Sequence, residues 1–255
     1  MHLGAHYPVP SGIVAMECRV NKYLAMCGVS TRRGADKLIE EGVVTINGKV
    51  AVAGDKVTDG DVVMVNGKEA RVKDKYYCAF YKPVGVTCTN NDPHADVIID
   101  MVFKHEPKLN YAGRLDRDSE GLLIMTNDGD LIDAMMRSRN NHEKEYVVTL
   151  KEDVNDSILN KLREGVYLPE LDVTTKKCKV KRLGDKSFDI ILTQGLNRQI
   201  RRMCAEFDLT VKSLKRVRVC NIMLGDLKSG ESRYLTEEEL RDLYRITGVN
   251  TNGNN

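Results

Sequence analysis

Asn47-Gly48 lies between two short β-prone runs in "VVTINGKVA". A two-residue loop of this kind needs positive φ at both central positions, which Asn and Gly tolerate, so the pair commits its flanks to a hairpin. In front of it, Val20, Tyr23, Leu24 and Cys27 keep helical spacing up to Gly28. Ser30 is placed to cap a second helix, "TRRGADKLIEEG", which Gly42 ends. "GDVVMVNG" supplies a further strand. Helix, helix, hairpin and strand predict a compact unit over residues 16–70, with Arg19, Lys22, Arg32, Arg33 and Lys37 on or near its helices.

Residues 71–77 read as a polar linker, and "CAFYKPVGVTCT" opens a second domain predicted to span 78–246. Ala79–Tyr81 form a strand there and Lys82-Pro83-Val84-Gly85 a turn. "EYVVTL" and "SFDIILTQ" are β-rich, and "DSILNKLREGV" is helical. "TEEELRDLYRI" carries a capping box, Thr236 with Glu239. Residues 1–15 and 247–255 read as tails, with Met16 an alternative start. Strands and helices joined mostly by short turns predict an α+β fold.

Charge narrows the partner. The net charge is only +2, but Lys176–Arg218 holds thirteen Lys and Arg against four Asp and Glu. Such a field suits a polyanion, or a solvated charged face. Seven cysteines without a C-x-x-C, and no His at zinc-ligand spacing, point to reduced thiols in a cytosolic protein. No apolar run is long enough to span a bilayer. The first fifteen residues lack a basic start and contain two prolines, a poor signal peptide.

The densest charge cluster is "AGRLDRDSEGLLIMTNDG", Ala112–Gly129. Asp116, Asp118, Glu120 and Gly121 imitate positions one, three, five and six of a calcium loop, but position twelve is Asn127, which cannot give the bidentate carboxylate. Phosphotransfer by an aspartate needs a hydrophobic strand before it and magnesium ligands after it; "NYAGRL" is a weak strand and no ligand set stands out. Two alternatives stay open: a charged turn before a buried strand, or a carboxylate nucleophile working without a metal.

Four segments, in order, resemble the motifs of the pseudouridine synthases of the RsuA/RluB/RluE/RluF family: "KPVG", "AGRLDRDSEGLLIMTNDG", "HEKEYVVTL" and "QGLNRQIRRMCAEF". "RVNKYLAMCGVSTRRGADKLIEEGVVTINGKV" resembles the S-four RNA-binding domain, and its basic and acidic residues balance at eight each from Glu17 to Glu69, so only one face can be basic. Together the resemblance covers residues 16–246. It implies a small S-four-type domain followed by a mixed, largely antiparallel-sheet catalytic domain. It implies isomerisation of a flipped-out uridine in RNA, most readily a 23S ribosomal RNA stem-loop, free or within a pre-ribosomal particle, by a cytoplasmic monomer with no membrane contact, no metal and no cofactor.

By the same resemblance Asp116 is the essential aspartate, Tyr146 contacts the target base and Arg201 pairs with Asp116. Arg32, Arg33, Lys37, Arg114, Arg198 and Arg202 are expected on RNA. On the residues alone, Tyr146 sits in the alternation Tyr146, Val148, Leu150 and fits plain strand core equally well. Ile200, Met203, Cys204 and Phe207 form the core stripe of a helix that leaves Arg198, Arg201 and Arg202 on another face, with Asn197 as its cap. Asp118 and Glu120 have no partner within the motif and read as solvated turn residues.

Overall fold

The computed structural model describes residues 17–72, 74–89, 97–137 and 141–249. The tail at 1–15, Met16 and the last six residues lie outside them.

The N-terminal unit runs β1 (Cys18–Arg19), α1 (Val20–Met26), α2 (Arg32–Glu40), β2 (Val44–Ile46), β3 (Lys49–Val50), β4 (Lys56–Val57), β5 (Val63–Val65) and β6 (Lys68–Glu69). Asn47 and Gly48 have φ of 50° and 78°, the two positive values that the hairpin needs, and Ile46 faces Lys49. Asn66-Gly67 repeats the device between β5 and β6. Thr31, not Ser30, caps α2: its hydroxyl accepts from Gly34 N at 3.1 Å. The cap sits one residue later because Thr31 holds the extended backbone that lets its oxygen turn back onto the first turn. Val20, Leu24, Ala35, Ile39, Val44, Val57 and Val63 form a core of the unit's own.

The second domain runs β7 (Tyr77–Lys82), α3 (Ile99–Val102), β8 (Asn110–Tyr111), β9 (Glu120–Thr126), α4 (Gly129–Met136), β10 (Lys144–Leu150), α5 (Asp156–Glu164), β11 (Tyr167–Leu168), β12 (Val173–Thr174), β13 (Lys179–Gly184), β14 (Ser187–Leu192), α6 (Gln199–Ala205), β15 (Val211–Val219), β16 (Ile222–Met223), β17 (Ser232–Tyr234) and α7 (Glu237–Thr247). Its sheet has the order β13-β14-β10-β15-β9-β7-β17. Neighbours along that path pair antiparallel except β15 and β9, which run parallel and join the two halves of the sheet. Gly121 makes this pair possible. Its φ is 107°, and a Cβ there would lie 2.3 Å from Arg216 O.

One core packs α5 and α6 against the β10–β14 half, with Phe188, Leu159 and Met203 fully buried. On the other half, α4 and α7 cover Leu122 and Ile124 on one face, while Phe80, Leu123 and Met125 face α3. Asp128, 2% exposed, accepts from Lys75, Tyr77 and Tyr244 at 3.0, 3.0 and 2.8 Å and caps α4. It thereby ties the chain entering the domain to its last helix. Thr236 and Glu239 form the expected capping box on α7. No helix among the described residues is long and apolar enough to cross a membrane.

The two units touch through charge. Lys22 meets Asp130 at 2.9 Å, and Arg32 meets Asp130 and Asp133 at 3.5 and 3.4 Å, both carboxylates lying on α4.

Candidate active site

The loop between β8 and β9 carries the charge cluster. Gly113, at φ 92°, opens it and Leu115 anchors it in the core. Ser119 N donates to Asp116 O at 3.1 Å, closing a turn, and Gly85 N donates to Arg117 O at 2.7 Å. The "KPVG" segment therefore braces the loop rather than forming a free turn. From below, Arg216 Nε donates to Leu122 O at 2.7 Å and Nη1 to Arg114 O at 3.2 Å.

This loop walls a cleft of about 510 Å³ between β10, the loop before α6 and the end of α4. Asp116 lines it, half-buried, and its carboxylate makes no side-chain hydrogen bond or ion pair among the described residues. Lys82 and Arg198 lie within its electrostatic reach. Tyr146 lines the same cleft, half-buried, and packs against the cores on both sides of it. Its ring is thus at the seam and not sealed in the strand core. In register it faces Arg216 on β15 and Ile190 on β14.

The arginines are placed differently from expectation. Arg201 reaches Asp118, not Asp116: Nε is 3.2 Å from Asp118 Oδ2 and Nη2 donates to Asp118 O at 2.8 Å. Nη1 donates to Val211 O at 3.2 Å. Arg198 grips the same carboxylate through two bonds of 3.1 and 2.8 Å. Asp118 is therefore an exposed but clamped loop residue, not one without a partner. Burial opposes its ionisation, but the Arg198 hydrogen bonds and the Arg201 charge outweigh that and hold its carboxyl below the usual value. Glu120 also has a partner, accepting from Tyr81 Oη at 2.6 Å.

Arg198 itself, at φ 50°, occupies the cap position before α6, displacing Asn197 from that role. Asn197 instead accepts from Arg202, which also pairs with Glu170. Arg202 does not line the cleft. Arg114 does, with an exposed side chain that has no ion pair among the described residues. Arg33 and Lys37 are exposed on α2, whereas Arg32 is held by α4.

Three basic residues at the site were not expected from sequence. Lys82 is fully buried, its Nζ donating to Pro83 O and Val86 O at 2.8 and 2.9 Å. Arg216 is 2% exposed and lines the cleft beside half-buried Lys144. Burial, with Arg216 nearby, pushes both lysines below their ordinary value. The signal for Arg216 was the alternation in "VKSLKRVRV", where a basic residue falls in step with Leu214.

Comparison with known proteins bears on this geometry. Residues 76–206 match the model of the RNA pseudouridylate synthases, and residues 18–63 match the S4 domain. The chain is 46% identical to the Dual-specificity RNA pseudouridine synthase RluF of Escherichia coli, over 89% of this chain and 79% of that protein. It is 35% identical to the Ribosomal large subunit pseudouridine synthase B of Bacillus subtilis, over 88% and 95%. A solved pseudouridylate synthase crystal structure overlays 88% of this chain and 99% of its own, at 29% identity and a TM-score of 0.65.

Proposed function

This chain belongs to the RNA pseudouridine synthase family, and from that premise we propose that it isomerises a chosen uridine in a stem-loop of 23S ribosomal RNA, with Asp116 as its essential carboxylate. The reaction breaks N1–C1′, turns the base and joins C5 to C1′; C5 loses a proton and N1 gains one. Electrons balance within the nucleotide, so the chemistry calls for no redox partner and, on this reading, no metal.

A carboxylate must be ionised to act as a nucleophile. Asp116 has the position for that role, on the cleft with no side chain among the described residues bonded to its oxygens. Tyr146 offers a ring against which an extruded uracil can stack. The target base must leave its helix to reach either group. Arg114 and Arg198 at the cleft and Arg33 and Lys37 on α2 are suited to phosphates. Arg201 enters as a positioning residue, since it fixes Asp118 and with it the loop that bears Asp116. A cytoplasmic monomer, meeting the RNA free or in a pre-ribosomal particle, fits this reading.

The observation that carries it is that Asp116, without a side-chain partner among the described residues, and Tyr146 line one cleft. The test maps pseudouridines in ribosomal and transfer RNA from cells lacking the protein, then restores the wild type or Asp116→Asn. One site in large-subunit RNA should vanish and return only with the wild type. Its return with folded Asp116→Asn would sink the assignment.

A further inference from the structure

We infer that Arg216 and Lys144 are catalytic residues that hold the negative charge collecting on the uracil ring as its N1–C1′ bond breaks. The inference rests on the proposed role of Asp116, with the base departing as an anion.

The cleft carries more positive charge than its resting contents need. Among its described lining residues Asp116 is the one carboxylate, against Arg114, Arg137, Lys144 and Arg216, setting aside Arg117 and the Arg198 that Asp118 holds. Arg114 and Arg137 are exposed at the mouth, where water and phosphates can meet them. Arg216 is not: it is 2% exposed, and after its bonds to Leu122 O and Arg114 O its Nη2 is buried without an acceptor. A buried donor left unpaired is costly, and a buried cation more so. Lys144, on the adjacent strand, gives its Nζ only to His142 O at 3.2 Å among the described residues. Burial, and then the Arg216 charge nearby, both disfavour the Lys144 ammonium. Such an arrangement is repaid by an anion that appears during reaction.

Uridine supplies one. As an Asp116 oxygen bonds to C1′, the N1–C1′ electron pair leaves with the base, whose negative charge is shared with O2 and O4. The ring's π pair at C5 then forms C5–C1′ as the C1′–O bond returns its pair to Asp116, after which C5 releases its proton and N1 takes one up. Arg216 stands directly across from Tyr146 in register and both line the cleft, so a base stacked on Tyr146 comes within the field of the buried guanidinium.

The test compares two versions of one RNA under single-turnover conditions, carrying uridine or 5-fluorouridine at the target and scored as loss of the N1-linked nucleoside. Fluorine makes the base a better leaving group, so its anion needs less help. Arg216→Gln should slow uridine about a hundredfold, the scale of a lost oxyanion donor, and 5-fluorouridine about tenfold. Lys144→Gln should slow uridine about tenfold and leave 5-fluorouridine nearly unchanged. Lys144→Gln decides alone if Arg216→Gln fails to fold. Equal losses on both RNAs in the folded variants overturn the inference and leave a structural role. A third RNA carries an uncharged methylphosphonate beside the target; if neutralising that phosphate abolishes the defect, the cations serve the backbone and the inference also falls. Asp116→Asn runs alongside: its activity on either RNA would overturn the proposed function itself, whereas its silence with equal Arg216 and Lys144 losses removes only this inference.

Discussion

The N-terminal unit and the catalytic domain both carry arginines and lysines, yet they bury them differently. In the first, Arg33 and Lys37 stand in water on α2 over a small core, and basic and acidic residues balance. In the second, Lys82 and Arg216 are sealed beneath the loop that carries Asp116. Exposed cations grip phosphates at little cost and through salt-dependent, interchangeable contacts. Buried cations are costly, fixed in place, and worth far more to a charge that develops beside them. Under the proposed function, the comparison separates holding the RNA from changing it.

The largest break in that division is Asp116→Asn. It should lower turnover by at least about a thousandfold, as removing a nucleophile does, while affinity for the RNA stays equal or tightens because a carboxylate has left a basic cleft. Single-turnover assays and filter binding on one variant measure both halves. Comparable activity in Asp118→Asn is not expected, since that carboxylate holds Arg198 and Arg201; an intermediate loss of about tenfold to a hundredfold fits a positioning role.

Removing residues 16–70 tests the other side. Binding should weaken and its salt dependence flatten by roughly one phosphate for each lost contact, while the rate from bound RNA changes little. A truncated enzyme with an unchanged salt slope would show that the grip lies elsewhere.

Gly121→Ala probes the catalytic sheet without touching charge. A Cβ at 2.3 Å from Arg216 O and a φ of 107° should destabilise by about 3 kcal/mol. That corresponds to a fall of roughly 6–12 °C in Tm for a chain of this size. A melt within a degree of wild type would mean that β9 and β15 separate easily.

Smaller effects come from the contact between the units. Lys22→Ala and Arg32→Ala remove half-exposed ion pairs to α4, each expected to change stability by less than about 1 kcal/mol. They should instead loosen the N-terminal unit, seen as greater radius of gyration in X-ray scattering. Arg33→Ala should weaken RNA binding and leave the scattering alone. The smallest expected effect is that of EDTA, which should leave turnover of a pre-folded transcript unchanged; a loss rescued by one metal ion would reopen the ligand-loop alternative.

What the sequence determined by itself was whatever a few neighbouring residues can enforce. Asn47-Gly48 sets a hairpin because backbone sterics act within two residues, and Thr236 with Glu239 caps α7 because three residues bring side chain and backbone together. The stripe of Ile200, Met203 and Cys204 buried as its spacing required. Asp116 and Tyr146 were legible as motif residues, and β9, which follows the Asp116 loop, and β10, which carries Tyr146, were legible from their patterns. Tertiary structure decided how the charges are paired. The parallel contact of β15 with β9 joins residues nearly a hundred positions apart, placing Arg216 under the loop and making Gly121 obligatory. It also decided that Arg201 meets Asp118 and that Arg32 meets α4. A charge's partner and burial depend on whatever packs over it, and side-chain spacing along one segment holds no information about the segment that will lie across from it.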